Sequence, residues 1–334
     1  MRLSVERLRE ISVTLLTKHG VPAENACLQS DLLIEAEMRR LPSHGVQRLP
    51  TILSRISKGL ADPLTTGTIR ERRPSFLAID GGRGLGPVVM MHAIGELKAL
   101  ASRTGMAAAG IRNANHIGML AYYAEAAAAE GLIGIILSTS EALVHPYGGT
   151  EAMLGTNPIA VGIPTGADPF VLDLATSHVP MGKIHHHALR GEPIPPGWAV
   201  DAEGRPTTSA EAAKTGAIAP FGEAKGYGLG LAVELLVAAL AGSAFAPEVR
   251  GTLDETHPAN KGDIIILIDP AAGAGHSTAL SPFLDRLRTS KPLSPDRAVS
   301  IPGDGARSRR ATSLAAGIDV PEALYKNLNA LAAA

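Results

Sequence analysis

Within six residues, Ser43-His44-Gly45-Val46-Gln47-Arg48 set a hydroxyl, an imidazole and a guanidinium directly after a helical stretch. A hydroxyl beside a histidine orients the ring and fixes its tautomer, so that the imidazole can deliver or remove a proton near neutral pH. The planar fork of Arg48 grips a carboxylate through two parallel hydrogen bonds, which a lysine does not offer. Gly45 lets the backbone bend sharply or lie close to a ligand. The same spacing suits an ordinary helix-end histidine followed by a solvated arginine, so residues elsewhere must decide between the two readings.

Several such residues lie further along. Asn113-Ala114-Asn115-His116-Ile117-Gly118-Met119 falls between a predicted strand and a predicted helix, where Asn115 and His116 can hold a substrate oxygen or a cofactor phosphate. Thr156 and Asn157 precede Pro158 in a segment that otherwise makes a turn. Asp173 ends a buried strand in Val171-Leu172-Asp173-Leu174-Ala175-Thr176-Ser177, placed to orient an imidazole, bind a ribose hydroxyl or cap a helix. Gly182-Lys183 and Lys225-Gly226 each set a lysine beside a glycine, suited to neutralising phosphate; alone, either lysine reads as a surface charge. His185-His186-His187 cannot share one helix face, so no metal site is expected.

These residues need elements to position them. Residues 4–19 and 23–39 carry apolar residues at helical spacing around Gly20-Val21-Pro22, predicting a helical hairpin that ends at Arg39-Arg40-Leu41-Pro42, so the Ser-His-Gly turn sits where helix geometry must stop. A short helix over about 50–59 follows. From Phe76 the chain alternates: strands at 76–80, 106–112, 132–138, 158–163, 169–174 and 263–269, and helices near 88–102, 118–130, 176–190 and 226–242. That pattern is α/β. Gly81-Gly82-Arg83-Gly84-Leu85-Gly86 departs from the dinucleotide-binding spacing and lacks an acidic residue about twenty positions on, so it is read as a turn. Residues 192–222 read as a long loop with one short helix near 209–214. The segment around Pro302-Gly303-Asp304 reads as a polar tail before a last helix over about 320–333.

With a net charge of -1 and 3% aromatic residues, the 334-residue chain has neither the basic field nor the stacking surface of a nucleic-acid binder. Its single cysteine, Cys27, sits in an apolar helical pattern and reads as a buried core thiol, which together with the charged amphipathic start points to the cytoplasm. Gly226 to Phe245 approaches membrane length, but its glycines and Glu234 fit a helix in the core or at a subunit interface, and no membrane partner is expected.

Taken in order, Ser-His-Gly-Val-x-Arg, Asn-x-Asn-His-x-Gly, Gly-Gly-x-Glu-x-x-Leu-Gly-Thr-Asn-Pro-Ile-Ala, Leu-Asp-x-Ala-Thr-Ser, Gly-Lys, Ile-Pro-x-Gly-Trp-Ala and Lys-Gly-Tyr-Gly-Leu run from residue 43 to residue 229. This series resembles the malate/L-lactate dehydrogenase family, which is distinct from the Rossmann dehydrogenases and includes ureidoglycolate, sulfolactate and diketogulonate oxidoreductases and reductases of cyclic imino acids. The resemblance implies an α/β, non-Rossmann NAD(P)-binding fold with a helical N-terminal portion, and a homodimer. Residues 1–74 would carry the catalytic turn and pack with 300–334, and residues 75–299 would form the cofactor and substrate region.

By the matching positions, His44 would move the proton, Ser43 would be its hydrogen-bond partner and Arg48 the carboxylate clamp; in some relatives His116 takes the acid/base role. Thr156 would face the substrate. The cofactor, NAD or NADP, would meet His116, Ile117, Gly118, Met119, Leu120, Ser140, Asp173, Leu174, Ala175, Gly182, Lys183, Lys225, Pro302 and Gly303. Asp304 stands where the family more often has Glu, and Lys183 occupies a region where imine-reducing relatives carry an acid. The implied reaction moves a hydride between nicotinamide and C2 of a small 2-oxo or 2-hydroxy acid. The alternatives are reduction of a cyclic 2-imino acid and, from another class, a ligand-binding protein of the same fold without activity.

Overall fold

The structure, a computed structural model, describes residues 1–252, 254–273 and 277–333. A two-residue strand β1 (Arg2–Leu3) leads into α1 (Val5–Lys18), whose first turn is capped by the Ser4 hydroxyl accepting the Arg7 N–H at 3.1 Å. After Gly20 comes α2 (Ala23–Met38), then two single 3-10 turns, Pro42–His44 and Val46–Arg48, and α3 (Leu49–Ser57). The alternating region holds β2 (Thr68–Arg73), β3 (Phe76–Asp80), α4 (Gly86–Thr104), β4 (Met106–Arg112), α5 (Ala121–Ala129), β5 (Ile133–Ser138), β6 (Ile159–Ile163), β7 (Phe170–Leu174) and α6 (Met181–Arg190). Next are β8 (Ala199–Val200), β9 (Pro206–Thr207), α7 (Ala210–Ala213), β10 (Ala217–Ile218), α8 (Ala224–Ala241) and β11 (Gly262–Ile268). The chain closes with α9 (Ser277–Arg288), α10 (Asp304–Ala316), β12 (Ile318–Asp319) and α11 (Glu322–Ala333).

Seven strands form the main sheet in the order β2-β3-β4-β11-β5-β6-β7, and only β3 and β4 run parallel. A doubly wound dinucleotide fold needs a mostly parallel sheet, so this topology is a different α/β architecture, as the motif order implied. Strand β11 runs through the centre and shows how the layers form. Its Ile265 and Leu267 join the main apolar core with α4 and α5, whereas Ile264 joins Leu137, Val233 and Val237 beneath α8. Alternate side chains therefore serve opposite faces. Gly110 permits α8 to lie against β4, because a Cβ there would overlap the Leu240 carbonyl.

The N-terminal hairpin shares that core through Leu8, Leu15, Leu32 and Leu33. It is tied to the chain's end by β1 pairing with β12, by Arg310 gripping the Glu35 carboxylate at 2.8 Å and by the Ser313 hydroxyl donating to the Met38 carbonyl at 3.0 Å.

Several expectations need correction. Residues 192–222 are not one loop, since β8, β9 and β10 form a small antiparallel sheet there beside α7. The supposed polar tail contains the helices α9 and α10. The helices expected at 118–130 and 176–190 begin only at Ala121 and Met181, the residues before them serving as loops around the site. Cys27 is exposed rather than buried. It follows Ala26 one step off the stripe of Ala26, Gln29, Ser30 and Leu33 that α2 turns inward.

Candidate active site

The turn at residues 43–48 is held from below by a buried carboxylate. Helix α2 ends where Arg40 adopts φ +59°, and the last turn of that helix supplies Glu37, whose Oε1 accepts the Val46 N–H at 2.8 Å. Gly45 is required at this contact, because a Cβ would overlap the Glu37 carboxylate. Burial pushes the Glu37 carboxyl up to about 7 while the Val46 N–H works in the other direction.

On this support, Ser43 Oγ lies 2.9 Å from His44 Nδ1. The His44 and His116 rings stand side by side, 5.5 Å between centroids with planes inclined by 36°. Gly118 N–H donates to His116 Nδ1 at 3.2 Å, so the neutral His116 ring carries its proton on Nε2. Burial, assisted by the Arg48 charge, pushes the His44 imidazole down to about 4. Burial and the neighbouring charges Arg48, His44 and Lys261 hold His116 well below the usual histidine range. Both rings are neutral at pH 7; His44 keeps one nitrogen for accepting a proton, whereas His116, its Nδ1 occupied by the Gly118 N–H, offers Nε2–H as a donor.

Arg48 begins α3, and its Nε is buried with no hydrogen-bond partner among the described residues. A small cavity is lined by His44, Arg48, Ile52, Arg55, Leu85 and His116 among others. The glycine-rich 81–86 turn forms part of its wall by close packing. A Cβ on Gly86 would overlap the His116 carbonyl, and one on Gly81 would stand 2.9 Å from Ala114.

A second, open cleft is lined by Arg39, Leu41, Asp173, Pro302, Gly303 and Arg309 among others. Asp173 is exposed to this cleft, yet the protein packed around it pushes its carboxyl up to about 6. Its Oδ2 accepts the Ala121 N–H at 2.8 Å, directly after Leu120. Gly303 has φ +97°, which favours glycine, and it brings bare backbone to the cleft edge. Asp304 points elsewhere: it holds Arg288 at 2.9 Å from two nitrogens, Arg307, and the Ile301 N–H at 3.0 Å. The shorter acid thus braces the Pro302-Gly303 turn. An open carboxylate beside side-chain-free backbone suits ribose hydroxyls and phosphate, so the chemistry of these residues fits NAD(P).

Of the residues singled out by sequence, His44, Arg48, Asn115, His116 and Gly118 come together at the first cavity, with Ser43 behind them against His44, and Asp173, Pro302 and Gly303 at the second. Gly182 joins the catalytic turn, its Cβ position lying 3.7 Å from that of Ser43. Ile117, Met119 and Leu120 are buried, which leaves only their backbone for a ligand. Leu174 and Ala175 are half-buried beyond Asp173. Ser140 and Thr156 meet each other, the Ser140 hydroxyl accepting the Thr156 N–H at 3.1 Å. Lys183 is exposed with Nζ 5.9 Å from the Trp198 ring centroid, and Lys225 is exposed at the start of α8; neither lines the two cavities described above.

Asn115 departs from its expected role. Its amide donates to the carbonyls of Arg83 at 2.6 Å and Gly84 at 3.1 Å and accepts from Arg55 Nε at 2.9 Å, so its polar atoms are committed within the protein. Sequence reading passed over Arg55, Glu37 and the buried pair Lys261–Asp263, whose atoms are 2.5 Å apart.

A mixed sheet of this order with paired imidazoles, a buried arginine and an open cleft edged by Asp173 and Gly303 fits a nicotinamide-dependent oxidoreductase outside the Rossmann class. The profile of the malate/L-lactate dehydrogenase family matches residues 3–329, and the chain belongs to that family of NAD(P)-dependent enzymes. It is similar to a solved dehydrogenase from Sinorhizobium meliloti, with TM-score 0.96 and 65% identity over 99% of this chain and 98% of that one. It is 34% identical to an L-sulfolactate dehydrogenase of Methanocaldococcus jannaschii, covering 98% of this chain and 95% of the relative. It is 36% identical to a Delta(1)-pyrroline-2-carboxylate reductase of Burkholderia multivorans, covering 98% and 97%.

Proposed function

We propose that the enzyme interconverts a small 2-hydroxy acid and its 2-oxo acid, with His44 moving the proton and Arg48 holding the carboxylate. The observation that carries this reading is that Arg48, whose buried Nε has no hydrogen-bond partner among the described residues, lines the same cavity as two neutral imidazoles. A bound nicotinamide supplies the hydride donor or acceptor at C4. In the oxidation direction the neutral His44 takes the hydroxyl proton, and in the imidazolium so formed Nδ1–H donates to Ser43 Oγ. Arg48 depresses His44 in the free enzyme. A substrate carboxylate on Arg48 offsets that charge and raises the basicity of His44 as the complex forms. His116, fixed by Gly118 N–H, directs Nε2–H toward the substrate oxygen.

Asp173, the backbone of residues 117–120 and the Pro302-Gly303 turn would hold the cofactor. Kinetics of His44→Ala and Arg48→Lys with NADH and NADPH test the assignment: loss of His44 lowers kcat and loss of the fork raises KM. A fully active His44→Ala would refute it. The likeness to a pyrroline-carboxylate reductase supports a second reading, imine reduction, and Δ1-pyrroline-2-carboxylate as substrate separates the two.

The exposed apolar face of α8, with Leu235, Leu236 and Leu240, suits the interface of a homodimer, which sedimentation of Leu236→Glu would split into monomers. A single cysteine fits the reducing cytoplasm.

A further inference from the structure

Two buried charges flank Gly262, the first residue of β11. Lys261 is 2% exposed and Asp263 0%, and Lys261 Nζ donates to both carboxylate oxygens at 2.5 Å. Well-packed apolar residues often serve stability as well as a buried ion pair or better, because taking two charges out of water costs about what their attraction returns. Stability alone therefore does not account for the pair, and its neighbours show what else it does.

The pair touches both strands that lead into the site. In the sheet register Asp263 faces Ile111 near the end of β4 and Ser138 at the end of β5. Strand β4 runs directly into the 113–119 loop that carries His116, and β5 into Thr139 and Ser140. The Ser138 hydroxyl donates to Asp263 Oδ1 at 2.6 Å. Thr139 is bound to Gly262 twice: its N–H donates to the Gly262 carbonyl at 3.1 Å and its hydroxyl accepts the Gly262 N–H at 3.2 Å. One residue on, the Ser140 hydroxyl accepts the Thr156 N–H. Toward the other loop, the Asp263 charge acts on Tyr123, a buried ring whose hydroxyl donates to the Ile117 carbonyl. Lys261 acts on His116, together with Arg48 and His44 of the catalytic turn.

We propose that Lys261 and Asp263 are positioning residues, a polar clamp outside the catalytic cavity that fixes the His116 loop and the Ser140 loop relative to each other for the reaction. The inference goes beyond the oxidoreductase reading and rests on it for the chemistry. Neither residue lines the catalytic cavity, so the clamp acts through the loops it holds. Asp263 Oδ1 accepts from Ser138 and Lys261 together, which ties the end of β5 to the start of β11. With apolar residues in their place Ser138 loses this acceptor and the strand end is free to shift; a displacement of about 1 Å at reacting groups lowers a rate by up to about 100-fold.

The test uses two paired variants. Lys261→Met with Asp263→Leu removes the clamp and keeps the space filled, whereas Lys261→Gln with Asp263→Asn keeps neutral hydrogen-bonding groups there. Urea denaturation follows folding, and nitrogen-15 NMR of the imidazoles reads the His116 tautomer. Kinetics use oxaloacetate, 3-sulfopyruvate, pyruvate and Δ1-pyrroline-2-carboxylate with NADH and NADPH, and variants are compared on the combination that wild type turns over fastest. The apolar pair is expected to unfold near the wild-type urea midpoint, yet to lose kcat by about tenfold or more with KM changed by less than about threefold. Its His116 should show both tautomers where wild type shows Nε2–H alone. The amide pair should bring kcat back to within about threefold of wild type and restore the single tautomer. An apolar pair with wild-type kcat and one His116 tautomer would show that the charges only fill the core, and would overturn the proposal. A folded amide pair as slow as the apolar one would overturn it too, since hydrogen bonds would then not be what holds the loops. Should the apolar pair fail to fold, Ser138→Ala cuts the clamp from β5 alone, and an unchanged kcat there would refute it. If wild type reduces none of the four acids, the oxidoreductase reading falls, whereas the tautomer comparison still decides the clamp.

Discussion

Glu37 offers a direct test of how the catalytic turn is held. Its carboxyl lies at about 7 in the folded protein against an ordinary glutamate value of 4.5, because burial penalises the charge more than the Val46 N–H favours it. A folded-state value above the unfolded one means that the native protein holds this proton more tightly. The associated stability is fully present below pH 4.5 and is lost as pH rises through about 7. At about 1.4 kcal/mol for each tenfold, the shift corresponds to about 3 kcal/mol. Glu37→Gln keeps a carbonyl oxygen for Val46 N–H and removes the titration. Between pH 4.5 and pH 7.5, wild type should therefore lose about 3 kcal/mol of stability relative to this variant. Urea denaturation of both proteins across that range measures the difference. A difference that stays constant with pH would refute the reasoning, because it would mean that Glu37 ionises as easily folded as unfolded. Glu37→Ala provides the contrast: it leaves the buried Val46 N–H without an acceptor and should cost about 1–3 kcal/mol from that loss alone.

Other perturbations follow from the same geometry. His44 must be neutral to accept a proton and lies at about 4 in the free enzyme, so kcat/KM for hydroxy-acid oxidation should fall only below about pH 5 in a pH-rate profile. Asp173, at about 6, is expected to accept ribose hydroxyls only when ionised; cofactor KM should rise as pH falls through 6, and Asp173→Asn should flatten that dependence in initial-rate kinetics. Lys261 is 2% exposed and its Nζ is 2.5 Å from both oxygens of the wholly buried Asp263. Lys261→Met leaves that carboxylate unpaired and should cost about 3–5 kcal/mol by denaturant titration, whereas replacing both partners by apolar residues should restore most of it.

What the sequence discloses and what it hides divide along physical lines. The 43–48 turn, the 113–119 loop and the end of β7 were legible because glycines, prolines and short polar side chains break periodic patterns there, and such breaks are local. Helix α9 was not, because Pro282 interrupts the helical pattern of Leu280, Phe283, Leu284 and Leu287, and α10 was not, because no apolar stripe announces it. Helix α10 is fixed instead by Arg310 on Glu35, Arg309 on the Arg39 carbonyl and Ser313 on the Met38 carbonyl, partners some 270 residues away. Strands β8, β9 and β10 are two residues each, too short for alternation to register.

Glu37 and Arg55 illustrate the harder case. In sequence each is a charged residue on a short-period helix, where a solvated charge is the usual outcome. Their meaning depends on burial: Glu37 sits beneath the 43–48 turn and holds the Val46 N–H, and Arg55, 5% exposed, holds Asn115 and the Asp254 carbonyl. A contiguous motif such as residues 43–48 can therefore be read for candidate chemistry, whereas the surroundings of Arg55, two helical turns beyond Arg48, come from Asn115 and Asp254, distant parts of the chain that no local pattern announces.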